Sequence, residues 1–261
     1  MYHDCEWTRF KFSDLPIAFS VVDSENDDAW TWFLEKLLAI VPDTRDLTIV
    51  SDRHQSIYCG IKKMYPQANH GACLVHIQRN VQSKYGKVIK AMVGVAGEAY
   101  RVEEFNRYYT TIKRNNYRAW DCLEGIGVEH WTRSQFKEDR YNLMSSNIAE
   151  SLNKALFPAR DCLIISMLEF IRKMISRWLQ SRRDVIEKMD GEIPSEVSKE
   201  LDLRFADSIG LATAKWSAWE FEVSVGSAST FQYSVDLMKR ICSCREFQMI
   251  KIPCRHAMAA G

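Results

Sequence analysis

The last twenty residues place four ligand-type side chains in a pattern that leaves few folds open. Cys242, Cys244, Cys254 and His256 stand as C-x-C, nine intervening residues, then C-x-H. Alternate residues of an extended segment point the same way, so each pair can present both donors to one ion while the loop brings the pairs together. Three thiolates and one imidazole complete a tetrahedral zinc shell with no position left for a substrate, so the expected zinc is structural. A hairpin with a short tail has little core of its own, and metal binding would supply its folding free energy. The competing reading, buried cysteines acting as small hydrophobes, does not account for the spacing.

Composition sets the frame around this site. A chain of 261 residues that is 46% hydrophobic and 26% charged has the apolar mass for a full core, which excludes disordered, collagenous and repeat classes. Eight cysteines are too sparse here for a disulfide scaffold, which favours metal binding in a reducing compartment. The start, MYHDCEWTRF, has no apolar run behind a basic flank, and no stretch reaches the 18 apolar residues of a membrane span. An intracellular protein is therefore expected. Thirty-five basic against 34 acidic side chains give a net charge of +1, which nominates neither a nucleic acid nor a membrane. The charges are nevertheless segregated. Residues 1–52 hold eleven acidic and four basic side chains, whereas Arg53 to Gly97 contains no Asp or Glu but seven Lys or Arg and three His.

Periodicity gives the element order. PIAFSVVD, 16–23, reads as a buried strand, and a helix capped by Asp27 or Asp28 follows, with Trp30, Phe33, Leu34, Leu37 and Leu38 on one face and Pro42 beyond its end. LTIVS, 47–51, is a second strand delivering Asp52 at its carboxyl end, and a helix over about 54–64 carries Ile57, Ile61, Met64 and Tyr65. This alternation predicts an α/β layer. Residues 76–145 lack strand alternation and are expected to be mostly helical. Helices follow at 147–157 and 162–189, the latter with Ile164, Met167, Leu168, Ile171, Ile175, Trp178 and Leu179 as its stripe. A connector with a short helix covers 191–210. WEFEVSV and TFQYSVDL then alternate as a hairpin, with Trp219, Phe221, Val223 and Val225 on one face.

The cysteine segment, with its preceding hairpin and its IPCRHAMAA string, resembles a SWIM-type zinc finger, although only five residues follow His256 where the family's helix usually runs on. The resemblance implies a nucleic-acid or protein contact module. Four ordered blocks upstream, PIAFSVVDSENDDAWTWFLEKL, TIVSDRHQSI, YPQANHGACLVHIQRNV and NIAESLNKALFPAR, resemble the catalytic domain of plant Mutator-like (MULE) transposases and the far-red-impaired-response-like regulators descended from them. The likeness spans about 16–260. It implies a truncated ribonuclease-H-like sheet within 1–160 carrying a helical insertion at about 77–145, a helical connector at 161–210, and a β-hairpin with the finger at 211–261 (finger core 242–256). It also implies a nuclear location.

In that family three acidic residues hold two divalent metals for DNA strand cleavage and transfer, work that calls for hard carboxylate oxygens on rigid elements. Asp52 matches the second and Glu150 the third. The plainer alternatives are a turn Asp at a strand end and a capping box in which Glu150 pairs with Asn147. The first acidic residue belongs on a strand before PIAF, where Asp4 and Asp14 are poor substitutes. The chain is therefore expected to be catalytically defective, with Mg2+ relevant only to a longer form holding the full triad. Cys73 and His76 match the family's C-x-x-H element, and Trp131 its insertion tryptophan, for which ordinary core packing is the favoured alternative. Arg53, Lys62, Lys63, Arg79 and Lys84, with Arg172, Lys173 and Arg177, are the candidate contacts to DNA phosphates, against the alternative of a solvated charged face. Three functional readings stand: a defective transposase relative that contacts DNA, a fragment of an active transposase, and a protein-interaction scaffold acting through the finger without DNA. Neither a base-reading motif nor an oligomeric state is legible.

Overall fold

A computed structural model describes residues 16–138, 140, 143–189, 193–225 and 232–261, with the backbone alone described for 147–150 and Val225. The chain forms a mixed α/β structure of two units, one spanning Ala18–Asn147 and the other comprising Ile148–Gly261 with, among the described residues, Pro16 and Ile17.

In the first unit the two amphipathic stripes find each other. Helix α1, Asp27–Leu38, is capped by Asn26, whose side chain accepts the Ala29 amide at 2.8 Å. The cap thus lies just before the expected aspartates, which occupy the first turn and favour the positive end of the helix dipole. Leu34 of α1 packs with Ile57, Ile61 and Tyr65 from the helix α2, Gln55–Met64, and its end. Strand β1, Thr48–Ser51, pairs in parallel with β2, Asn69–Ala72, with Ile49 opposite His70, and α2 serves as the crossover that parallel pairing requires. The sequence NHGA of β2 has poor strand propensity, so it escaped the periodicity reading. Its ladder holds it: the Asn69 amide donates to Leu47 O and the Cys73 amide to Ser51 O, both at 2.8 Å.

The expected strand at 16–23 does not form. Residues 16–22 have no regular structure, and Ile17, Phe19, Val21 and Val22 are exposed. An apolar run encodes a preference for strand conformation, but the strand itself requires a hydrogen-bonded neighbour, and none pairs with it among the described residues.

The helical expectation for the middle of the chain holds. Helices α3 (Leu74–Tyr85), α4 (Lys87–Glu98), α5 (Val102–Asn115), α6 (Tyr117–Glu124) and α7 (Val128–Trp131) follow in order. Gly86, at φ +89°, makes the joint between α3 and α4, a conformation that a side chain would strain. The scattered aromatics converge on one core. Trp131 is fully buried with its ring centroid 6.1 Å from those of both Phe105 and Tyr109, and its Nε1 has no hydrogen-bond partner among the described residues. Core packing is therefore what this tryptophan does here.

The second unit contains α8 (Asn147–Leu156), a 3-10 turn at Phe157–Ala159, α9 (Ile164–Glu187) and α10 (Ser195–Ser208). Of the expected stripe on α9, Ile171 is buried, joined by Met174, whereas Ile164, Leu168 and Leu179 are exposed, because periodicity names a face and not what covers it. The hairpin exists as β4 (Glu220–Val225) and β5 (Gln232–Asp236), and it is the centre of a four-stranded antiparallel sheet, β3-β4-β5-β6. Strands β3, Leu211–Lys215, and β6, Ile241–Cys242, were not anticipated. Val223 and Val235 are buried from the central strands against Phe247, Cys254, Ala257 and Ala260, while Trp219, expected on the same face, precedes β4 and is half exposed. Helices α11, Glu246–Ile250, and α12, Arg255–Ala260, complete the unit.

Candidate functional site

The sheet and the two short helices bring all four predicted ligands together. The three sulfurs and one imidazole nitrogen lie within 4.8 Å of one another, with Cys242, Cys254 and His256 buried and Cys244 partly so. His256 Nδ1 stands 3.7 Å from Cys242 Sγ and 3.8 Å from Cys254 Sγ. Zinc–sulfur bonds of about 2.3 Å and a zinc–nitrogen bond of about 2.0 Å at tetrahedral angles give an edge of roughly 3.5 Å, so this spacing is that of donors arranged around one ion. The residues present fit zinc: four soft or borderline donors, no fifth among the described residues, and little solvent access. Hydrogen bonds from Cys242 and Cys244 hold the Cys254 thiol well below the usual thiol range, and the same sharing pushes the Cys242 thiol up.

The support around the ligands was not legible beforehand. Gln248 brackets the Cys242 peptide, its Oε1 accepting from Cys242 N at 3.1 Å and its Nε2 donating to Cys242 O at 3.0 Å. The Tyr233 ring stacks on His256 at 3.8 Å, which sets the plane of the imidazole. Arg245 and Lys251 both adopt left-handed backbone, at φ 68° and 64°, turning the chain just after the first ligand pair and again before the second. Single left-handed residues without glycine cost about 1 kcal/mol each and persist where the surroundings over-determine them. A Gln six residues after a ligand, or a Tyr on the preceding strand, carries no metal signal in sequence.

In the first unit Asp52 directly follows β1 and is half-buried, at the strand's carboxyl end as expected. Its Oδ1 accepts the His54 amide at 3.0 Å, so the carboxylate also turns the chain into α2, which realises the plainer reading without displacing the other. Ser51 Oγ donates to Asp52 O at 2.7 Å and lies 2.8 Å from His70 Nε2. Burial pushes His70 down to about 4, with His130 and Arg140 adding to the effect, so its ring is neutral. A cleft of about 870 Å³ opens beside α2 and β2, walled by Tyr58, His70, His130 and Phe136 with Lys62 and Lys137. Glu150 falls in α8, in the other unit; its side chain, and that of Asn147, lie outside the described residues, as do Asp4 and Asp14.

Cys73 and His76 meet on one residue. The Ser146 amide donates to Cys73 Sγ at 3.2 Å, and Ser146 Oγ lies 3.5 Å from His76 Nδ1. The Leu74 amide donates to Met144 O at 2.8 Å. Buried Arg140 donates to Ala72 O, His130 O and Leu143 O at 2.7, 3.0 and 3.1 Å. The C-x-x-H element thus fastens the end of β2 and the start of α3 to the segment that leads into α8.

Arg53, Lys62, Lys63, Arg79 and Lys84 are all exposed in the first unit. In the second, Arg172 forms a two-point pair with Glu169 at 2.9 and 2.7 Å, Lys173 approaches the same carboxylate at 3.6 Å, and Arg177 is exposed. No helix among the described residues is long and apolar enough to cross a membrane.

Comparison with known proteins gives the same two ends. A family model of the MULE transposase domain matches residues 11–80, and one of the SWIM zinc finger matches residues 221–260. Among curated proteins, the transposase for insertion sequence element IS905 of Lactococcus lactis subsp. lactis is 26% identical over 159 residues, covering 54% of this chain and 38% of its own. The transposase for insertion sequence element IS1201 of Lactobacillus helveticus is 24% identical over 149 residues, covering 54% of this chain and 40% of its own. The chain therefore spans about two fifths of the length of these relatives. It joins a MULE transposase domain to a C-terminal SWIM zinc finger, with weak homology to insertion-sequence transposases.

Proposed function

We propose that this chain is a transposase-derived DNA-contacting protein whose zinc is structural and which, by itself, does not perform strand transfer. The parallel β1–β2 pair with its α2 crossover and a carboxylate at the strand end supports a ribonuclease-H-like ancestry close to the plant Mutator-like group. The observation that carries the DNA reading is the acid-free run after Asp52, whose Arg53, Lys62, Lys63, Arg79 and Lys84 stand exposed on one unit. The resemblance of the four upstream blocks to the plant Mutator-like group supports action in the nucleus. The sequence matches two of the family's three acidic positions, Asp52 and Glu150, where two-metal chemistry draws on all three, and this is the reason for the catalytic part of the reading.

Anisotropy of a labelled duplex titrated with the full chain across a salt series tests it. Five phosphate contacts predict a log–log slope of about −4 to −5, and Lys62→Ala with Lys63→Ala together should flatten it by about 2. Absent or salt-independent binding refutes the DNA reading and leaves the interaction scaffold. A second reading, in which a longer chain supplies the first carboxylate and cuts DNA with Mg2+, draws on the two-fifths coverage of the insertion-sequence transposases. Magnesium-dependent plasmid nicking that disappears in Asp52→Asn replaces the first reading with the second.

A further inference from the structure

Helix α10 lies outside the SWIM match, yet it sends one side chain into the finger. Arg204 is only 4% exposed. Its Nε donates to Glu200 Oε1 at 2.7 Å on its own helix, and its Nη2 donates to Glu246 Oε1 at 2.8 Å. Its Nη1 donates to Pro253 O at 2.8 Å and Ile252 O at 3.2 Å. A buried guanidinium is tolerated where its donors are matched, and here all three nitrogens have acceptors.

Where those acceptors sit gives the contact its meaning. Glu246 follows Cys244 by two residues, and its amide hydrogen-bonds the Cys244 sulfur. Pro253 immediately precedes Cys254. One planar fork therefore grips both ends of the nine-residue loop that separates the two ligand pairs, the same loop that carries the left-handed residues Arg245 and Lys251. Without such a grip, the distance between the pairs would depend on a loop with two unfavourable backbone conformations. A lysine could reach one of these acceptors as a point charge, but it could not span them.

We propose that Arg204 is a positioning residue of the zinc centre, and that the metal-binding folding unit begins at α10 and not at the hairpin. The proposal rests on the zinc reading of the four ligands. Outer groups that orient ligands typically change metal affinity by about 10- to 100-fold when removed.

The test uses the full chain and its Arg204→Met, Arg204→Lys, Lys199→Gln and Cys254→Ser variants. Zinc affinity and release are followed against a chromophoric chelator, and the cobalt-substituted protein reports ligand geometry through its visible bands. Arg204→Met should bind zinc about 10- to 100-fold more weakly with altered cobalt bands. Arg204→Lys should retain overall helicity and still release zinc several-fold faster, roughly within that same range, which keeps the proposal testable if the Met variant fails to fold. Lys199→Gln, on the exposed side of the same helix where its ammonium meets Glu196 at 3.2 Å and not Arg204, should leave both readouts near wild type. Wild-type affinity and an unchanged cobalt spectrum in Arg204→Lys overturn the proposal. A wild-type chain without zinc, or Cys254→Ser with undiminished zinc, instead overturns the zinc reading beneath it.

Discussion

The half-buried His70 makes the first unit acid-sensitive in a way that can be calculated. Ser51 Oγ uses its hydrogen on Asp52 O, so it must accept from His70 Nε2–H, which fixes the neutral tautomer with Nδ1 bare. Protonation would place a charge in a partly desolvated position near His130 and Arg140, which is why the folded value falls to about 4 from 6.5. The unfolded chain takes up this proton first as pH drops. Stability is therefore unaffected above about 6.5 and is lost as pH falls from there towards about 4. Linkage gives a loss of about 1.4 kcal/mol between pH 7.5 and 5.5, approaching ~3 kcal/mol below pH 4, with both figures reduced by the ring's partial contact with solvent. His70→Gln keeps a donor for Ser51 without the titration. Urea unfolding of both proteins at pH 7.5 and 5.5 should show a smaller pH loss in the variant by about 1 kcal/mol. Nitrogen-edited NMR of the ring should find it neutral at pH 5.5. A His70 that titrates at or above 6, or identical pH slopes in the two proteins, refutes the reasoning.

Chelation of zinc, or Cys254→Ser, should reduce bound metal from one equivalent to near zero and expose the amides around Val235 and Phe247 to rapid hydrogen exchange, while those around Trp131 keep their protection. Mass spectrometry of exchanged peptides checks both halves of that expectation. Trp131→Ala should destabilise the first unit by about 3–5 kcal/mol in urea unfolding followed by circular dichroism. Because the indole Nε1 has no partner among the described residues, Trp131→Phe should cost no more than about 1–2 kcal/mol; a loss as large as that of the alanine variant would reveal a specific role for the indole.

The elements that emerged from periodicity were those whose burial pattern is local. Helices α1 and α2 and strand β1 carry apolar stripes of the right spacing, and they fold where expected. Strand β2 carries no such pattern and exists through its ladder to β1, whereas PIAFSVVD carries one and has no ladder among the described residues. The Cys242, Cys244, Cys254 and His256 cluster was legible because coordination chemistry restricts residue type and spacing at once. Gln248, Tyr233 and Arg204 were not, since a hydrogen bond or ring stack formed across the fold leaves no spacing rule behind.

By itself, then, the amino-acid sequence determined the Cys/His donor set, the elements α1, β1 and α2 on either side of Asp52 and the segregation of charge, all of which follow from residue type and short-range period. Only the tertiary structure decided that Cys73 and His76 converge on Ser146, that Trp131 is core, and that α10 reaches into the finger through Arg204. Those outcomes depend on which distant groups come to share a desolvated space, where each buried polar atom must find a partner that may lie anywhere along the chain.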